Sequence, residues 1–468
     1  MVSKNKVFHN FLALGTGEAL SRLIAFGVTI YLARLLGADG YGIIAFAIAI
    51  NLYLLKVADF SLEWVGTEII AKSPKSVSEL ASALLCARLM LTLALIIVSS
   101  VITWLVLPDP ERKILLLYFL VLVPTALNTK WIHIGLEDAR PVGISKVLGE
   151  SLNLLIITAL VRQRDDLWVA PVAQACGEVL IASLLILTLR RRSYKFGLKW
   201  NPDVFMPIFS KAAPLLGHLL LGLMIYNSDL IFLRFYYNSE NVGFYAVSFT
   251  LIGFIANLGM AYGMSVMPTF ARLINDEKEE KSFYHSTLAQ LFAVTLPIAI
   301  GGYLLASNII GLAFGDGYSS SIITLQIIIW TIPFNILRIP PWGALIARNH
   351  QHLLFKAMLY AAIANLMLNV LLIPSYGVTG AAISTVITEI LISMILFANA
   401  SSLGLGFISP KRFVKPVIAG LIMAASLIIV NPYSAIVGTL LGCVIYILVL
   451  SLIRGINYKK GALPSLNL

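Results

Sequence analysis

The chain has 468 residues, 59% hydrophobic and 12% charged, with a formal net charge of +11 and a mean hydropathy of +0.89. A soluble domain carries about 25% charged residues, so this balance excludes a water-soluble globular enzyme and points to a polytopic membrane protein. The three cysteines, Cys86, Cys176 and Cys443, stand singly. They form neither a disulfide framework nor a metal-ligand spacing, and read as small apolar filler.

In chain order, the basic start MVSKNKVFHN leads into a full-length apolar run with no small-residue cleavage site, which reads as a retained first helix and not a signal peptide. Apolar stretches follow near 11–35, 41–62, 81–106, 113–137, 142–161 and 168–189. A second series lies near 207–235, 242–268, 285–314, 320–346, 353–374 and 377–400, and two more near 412–430 and 434–453. Each matches the roughly 20 residues a helix needs to cross the hydrocarbon layer. Helices satisfy their own backbone groups there, and no short alternating strands of a barrel are seen. The expected fold is an all-α membrane protein of about fourteen spans.

Loop charge orients it. The odd connections carry about six Lys and Arg, and FGDGYSSS, PSYGVTG and NPYS carry none. The ends and even connections carry roughly twenty-one, concentrated in LRRRSYKFGLKW and SPKRFVK. Both termini are therefore expected in the cytoplasm, and the net charge needs no nucleic-acid partner. No connection is long enough to hold a soluble catalytic domain.

The chain repeats itself with an offset near 200. Gly17 falls on Gly217, Arg34 on Arg234, and Tyr41–Gly42 near Val242–Gly243; Glu178 falls near Glu389, and Asn153 near Asn365 or Asn369. This implies two pseudo-symmetric six-helix bundles, 1–200 and 201–402, around a central cavity, with two added helices in 403–468. Parallel repeats of this kind hold a substrate near the bilayer midplane and expose it alternately to each side.

Ionisable residues inside the spans are the most informative feature, because each costs about 2.5–3.5 kcal/mol on insertion scales and faces a bundle interior or a watery cavity. Glu18 and Arg22 share a helix face at i,i+4. Two compatible readings stand: a local pair that eases insertion, or a cavity face where Arg22 meets an anionic substrate and Glu18 handles a proton or sodium ion. Lys56 with Asp59, and Arg88, Lys130, Lys211 and Lys356, lie toward the cytoplasmic ends, where snorkelling competes with a binding role. Arg338 sits deeper, before IPPWG, which favours a cavity or an interhelical bond. His133 and His218 read as packing residues or proton relays. Glu150, Glu178 and Glu389 are mid-span, and Asp229 lies within the span 207–235. The candidate substrate-binding cations are thus Arg22, Arg88, Lys130, His133, Arg338 and Lys356; the candidate ion or proton groups are Glu18, Asp59, Glu150, Glu178, Asp229 and Glu389. Prolines at 124, 214, 268, 297, 333, 340 and 341 allow bends. No P-loop and no catalytic or metal constellation is found, so no cofactor is expected beyond an ion gradient.

The stretches YLARLLGADGYGIIAFAIAI, DFSLEWVGTEIIAK and PSYGVTGAAISTVITE resemble the polysaccharide transporters, the O-antigen-type flippases of the multidrug/oligosaccharidyl-lipid/polysaccharide exporter superfamily. The similarity runs through the first twelve spans. Asp59-Phe60-Ser61-Leu62 departs from the family's Asp-Phe-Gly-Leu in having Ser61. The resemblance implies a flippase for undecaprenyl-pyrophosphate-linked oligosaccharides, acting as a monomer in the inner membrane, with a cationic cavity, an H+ or Na+ gradient as drive, and a lipid-tail groove in the last two helices. Association with polysaccharide polymerase machinery is a further expected partnership. A multidrug antiporter or lipid II flippase of the same superfamily is the alternative; a membrane glycosyltransferase or polymerase is more remote, since the acids Asp39, Asp109 and Asp316 sit in short turns.

Overall fold

In long apolar runs the backbone can satisfy its polar groups only with itself, and the chain is built from helices accordingly. A computed structural model describes residues 4–73, 76–406, 409–457 and 465–466. Residues 1–3, the start of the expected cytoplasmic N-terminus, lie outside it. The helices are α1 (Lys4–Asp59), α2 (Leu62–Lys72), α3 (Val77–Val106), α4 (Glu111–Ala126), α5 (Lys130–Gly135), α6 (Arg140–Leu160), α7 (Val169–Arg191), α8 (Pro202–Tyr236) and α9 (Ser239–Leu273). They continue as α10 (Glu277–Leu304), α11 (Ala306–Phe314), α12 (Ser321–Ile328), α13 (Thr331–Leu337), α14 (Ile339–Ala347), α15 (Gln351–Ser402), α16 (Lys411–Val430) and α17 (Ala435–Leu452). Ile456–Asn457 pairs antiparallel with Ser465–Leu466.

Among the described residues, twelve helices are long and apolar enough to cross a membrane, where the sequence pattern suggests about fourteen spans. The difference has a local cause. The candidate span Leu14–Asp59 has 46 residues and α15 has 52, and at 1.5 Å per residue α15 measures about 78 Å along its path, more than twice a hydrocarbon core. Each is interrupted by a single non-helical residue, Gly37 (φ 71°, ψ 179°) and Gly377 (φ 53°, ψ −129°). Only glycine takes such angles without a Cβ penalty. Beyond the second break the chain doubles back closely, so that a Cβ on Gly380 would overlap the Leu372 carbonyl. Two pairs of expected spans thus join through one residue each, with no loop between them.

The chain divides into two compact units, Met1–Leu223 with Asn238–Gly243, and Met224–Tyr237 with Phe244–Leu468. In the first unit α1 packs on α3, α4 and α6, and α7 on α4 and α6. Small residues set these distances: a Cβ on Gly17 would lie 2.6 Å from Gly143 Cα, and one on Gly149 would lie 2.8 Å from the Gly177 carbonyl. Lipid tails are as apolar as leucine, so close backbone approach replaces hydrophobic drive between such helices. The outer face of α3, with Ile97, Val101, Trp104 and Leu105, is exposed, as a lipid-facing surface must be. At one end of the unit α2, α3, α5 and α8 enclose a core of Leu62, Val65, Ile70, Leu84, Trp131 and Ile132, capped by Phe60 stacked on Phe209 at 3.8 Å between ring centroids.

One contact in this unit is reciprocal. A Cβ on Gly42 would overlap the Ser239 carbonyl, and a Cβ on Gly243 would overlap the Ala38 carbonyl. Gly42 and Gly243 are 201 positions apart, and so are Ala38 and Ser239, close to the offset of the repeat. Two copies of one motif related by a two-fold axis make contacts of this self-complementary kind.

In the second unit α10 packs on α12, α13 and α16, while α15 packs on α12, α13 and α14. Pro333, Pro340 and Pro341 fall where the segment 321–347 breaks into three short helices. The last two helices share a core of Met423, Leu427, Tyr446 and Leu450, and the Tyr446 hydroxyl donates to the Ala293 carbonyl of α10 at 2.7 Å.

Ser61, where the family motif has glycine, sits in the left-handed region (φ 58°, ψ 16°), is fully buried, and its Oγ has no hydrogen-bond partner. A left-handed L-residue costs roughly 1–2 kcal/mol. Ser61→Gly is therefore expected to raise the melting temperature in detergent, by about 1 kcal/mol of stability. Gly243→Ala should lower it by about 1–3 kcal/mol, since the added methyl meets fixed backbone; an unchanged melting temperature for that variant would contradict the reciprocal contact.

Candidate functional site

The ionisable residues inside the spans resolve into separate networks. In the first unit the Glu18 carboxylate is shared: Arg22 Nε donates to Oε1 at 2.7 Å along α1, and Lys146 Nζ from α6 donates to Oε2 at 2.5 Å. The Arg22 and Glu18 side chains are 44% and 41% exposed, so this is an open, net-cationic cluster. Glu150 and Glu178 stand beside the close Gly149–Gly177 crossing of α6 and α7, both partly buried.

Three other candidates of the first unit serve the structure around them. Arg88 is buried, lies 3.2 Å from Asp59 Oδ1, and donates to the Asn128 and Thr125 carbonyls at 3.0 and 3.1 Å. Those carbonyls sit just beyond Pro124, at the end of α4, where the Asn128 carbonyl has left the helix and the Thr125 carbonyl also accepts from the Asn128 N–H. Lys130 pairs with Glu63 at 3.0 Å. His133 is fully buried; its Nε2 donates to the Leu185 carbonyl at 3.1 Å, and Nδ1 lies 3.6 Å from Asp138, which is itself held by Arg192 at 2.7 Å. Outside the spans, Glu68 accepts from Lys211 at 2.9 Å and Lys72 at 2.6 Å. These two ammonium groups, Lys211 first, hold its carboxyl down at about 2.

In the second unit the buried acids Glu389 and Asp229 have different surroundings. Glu389, from the second half of α15, is paired with Arg338 at 3.1 Å and also accepts from the Tyr226 hydroxyl at 2.8 Å and the Asn335 amide at 3.3 Å. Arg338 donates a second bond to the Tyr226 oxygen at 2.7 Å. Asp229 is wholly buried and meets only neutral groups. Tyr245 donates to Oδ2 at 2.5 Å, Thr385 Oγ1 lies 2.7 Å from the same oxygen, and Asn369 Nδ2 donates to Oδ1 at 2.6 Å. Ser228 and Asn365 extend the cluster, with Ser228 Oγ donating to Asn365 Oδ1 at 3.0 Å. Among the described residues no salt bridge reaches Asp229, and Asn369 Oδ1 is buried with no hydrogen-bond partner. An anionic carboxylate with an unspent amide oxygen beside it, in an oxygen-lined site without a cationic side chain, can take up a proton or a small hard cation.

Lys356 is exposed. Sequence reasoning missed the neutral partners Tyr226, Asn335, Tyr245, Thr385 and Ser228. Their signal was the spacing: Tyr226 and Asp229 are i,i+3, Asn365 and Asn369 are i,i+4, and so are Thr385 and Glu389, each pair on one helix face. It also missed the pair of Glu280, fully buried at the start of α10, with Arg348 at 2.5 Å. Arg348 donates as well to the Leu403 carbonyl at 2.6 Å, tying three helix ends together.

A family model described as polysaccharide biosynthesis protein matches residues 7–274. Two proteins named "Putative O-antigen transporter" are similar over most of their length. That of Escherichia coli (strain K12) is 21% identical, covering 86% of this chain and 99% of that protein; that of Shigella flexneri is 25% identical, covering 84% and 96%. Among solved structures, a lipid II flippase MurJ in an inward closed conformation shares the fold with a TM-score of 0.77 at 17% identity, over 94% of this chain and 98% of that one. A multidrug resistance MATE family transporter of the MOP superfamily gives 0.66 at 14% identity, over 82% and 95%.

Removing one member of a buried ion pair strands the other. Arg88→Met is expected to destabilise the protein by about 3–5 kcal/mol, and Arg88→Met with Asp59→Leu to recover most of that loss. Thermal melts of the two variants in detergent check this, and equal losses in both would mean that the carbonyl bonds of Arg88, and not Asp59, dominate.

Proposed function

The chain belongs to the polysaccharide biosynthesis protein family, and on that premise we propose that it moves a polyprenyl-pyrophosphate-linked oligosaccharide from the cytoplasmic to the periplasmic leaflet of the inner membrane, with both of its termini in the cytoplasm. The observation that carries this reading is that the ionisable groups within the spans are gathered into networks in each unit instead of being scattered toward lipid. Guanidinium groups suit the pyrophosphate, because their planar donors match its oxygens; Arg22 and Arg338 are the arginines available for it. Lys146, beside Glu18, adds a point charge to the first cluster. No P-loop is present to use ATP, so the work comes from an ion gradient. Asp229 is the coupling group: its neutral donors stabilise a carboxylate while leaving the charge to be balanced by an exchangeable proton or sodium ion.

A lipid II carrier is the second reading, favoured by the fold shared with the lipid II flippase over nearly the whole of both chains. Two O-antigen transporters matched over nearly their full lengths favour the oligosaccharide.

Vesicles containing the reconstituted protein and a fluorescent polyprenyl-pyrophosphate oligosaccharide separate these readings. Gradient-driven movement of that lipid is expected, slowed at least tenfold by Arg22→Ala and made indifferent to the gradient by Asp229→Asn. Movement of lipid II alone would transfer the function to the second reading. Gradient-driven movement that persists in Asp229→Asn would place coupling elsewhere.

A further inference from the structure

Arg338 is the final residue before α14, in a stretch that prolines break into short helices, and its side chain is 20% exposed against 2% for Glu389. A guanidinium offers five N–H donors in a rigid fork. Here it spends one on Glu389 Oε2 and one on the Tyr226 oxygen, and among the described residues it bonds to no other group. A pair built for rigidity uses the two parallel bonds of the fork; this one engages a single carboxylate oxygen at 3.1 Å. Three of its five donors are left over, and the side chain keeps a 20% exposed surface through which a ligand can reach it.

The carboxylate is differently placed. Glu389 Oε1 accepts from Tyr226 and from Asn335, and neither bond involves Arg338. If the guanidinium turned away, Glu389 would keep two neutral donors. Arg338 would keep only the Tyr226 oxygen, which cannot balance a positive charge. The two halves of the pair are therefore unequal: the acid is supported without the base, but the base needs an anion.

We propose that Glu389 is an internal stand-in for the anionic group of the substrate. It neutralises Arg338 while the carrier is empty, and a phosphate oxygen arriving at the unspent donors of the guanidinium takes its place. This rests on the reading of the substrate as a pyrophosphate-linked lipid and adds a residue-level statement about how its charge is received. Tyr226 holds the pair in register, accepting from Arg338 and donating to Glu389, so it is a positioning residue. The arrangement makes a definite competition: the side chain that protects the empty site also opposes ligand binding, and removing its charge must tighten the hold on an anion.

Calorimetric titration of the full-length protein in detergent with inorganic pyrophosphate tests this. Glu389→Gln keeps the shape of the side chain and its bond to Tyr226, and should bind pyrophosphate at least tenfold more tightly than the unaltered protein. Arg338→Gln should bind it at least tenfold more weakly, and Arg338→Gln with Glu389→Gln no more tightly than the unaltered protein. If Glu389→Gln fails to fold, Glu389→Asp withdraws the carboxylate by one methylene and should tighten binding severalfold. Unchanged or weaker binding in folded Glu389→Gln, or tight binding that survives in the double variant, overturns the proposal. The vesicle assay keeps the two ideas apart. The expected affinities with no oligosaccharide movement support the stand-in and remove the flippase reading. Movement with no affinity gain in Glu389→Gln removes the stand-in alone.

Discussion

A charge placed in hydrocarbon has to be compensated, and that constraint organises the interior of this protein. At about 2.5–3.5 kcal/mol per ionised side chain at mid-membrane, a few stray charges would consume the whole stability of the fold. Two kinds of compensation are used. Arg22 and Glu18 are one turn apart on α1, so their pair forms as soon as the helix does and before any tertiary packing. Arg338 and Glu389 come from α13–α14 and the second half of α15. Their pair exists only once those helices have packed, and each enters the bilayer unpaired. The local pair eases insertion. The distant pair rewards assembly, because its formation removes two penalties at once.

The second constraint is the lack of a hydrophobic drive between helices in lipid. Backbone proximity takes its place, and the glycines mark where. Gly17 against Gly143 fixes α1 on α6, and Gly149 against Gly177 fixes α6 on α7. The first contact is next to Glu18 on α1 and one turn from Lys146 on α6, and the second stands beside Glu150 and Glu178. Charge and close packing are thus set in the same helix turns. A methyl added at Gly17 or Gly143 would shift the groups that balance Glu18 as well as the helices that carry them.

The fold was legible in the sequence to the extent that hydropathy governs it. All fourteen apolar stretches fall on helical segments, and the basic N-terminal and C-terminal flanks of α7, α8 and α16 lie at helix ends. What the pattern could not give was continuity. A break between two spans is normally a polar loop, but at Gly37 and Gly377 it is one residue with unusual dihedrals in otherwise helical chain, and hydropathy has no term for dihedral angles. The site was half legible for a related reason. Charged residues advertise themselves in an apolar background, so Arg22, Glu18, Asp229, Arg338 and Glu389 stood out. Tyr226, Tyr245, Thr385 and Asn335 did not, because neutral polar groups are common in membrane helices, and a shared face with an acid, as for Tyr226 and Thr385, is a weak signal until the partner is seen. Arg88 and His133 show the converse. They stood out as charge, yet their bonds run to the carbonyls of Thr125, Asn128 and Leu185, which no residue type predicts.

Asp229 and Glu389, both buried in the second unit, share two helices, and this bears on how they divide the work. Tyr226 of the Glu389 cluster and Asp229 lie on one face of α8; Thr385 of the Asp229 cluster and Glu389 lie on one face of α15. Hydrogen bonds continue from Asp229 through Asn369 and Asn365 to Thr388, the residue before Glu389. Within this shared frame the compensation differs in kind. Arg338 gives Glu389 a full opposite charge, so a further proton or cation there would leave the guanidinium uncompensated. The hydroxyl and amide groups around Asp229 hydrogen-bond it without supplying an opposite charge, so a proton or cation there meets no competing charge. This difference is why the proposed cycle assigns the exchangeable ion to Asp229 and the exchangeable anion to Arg338. Because the same helix turns carry both clusters, a change of partner in one cannot leave the geometry of the other untouched.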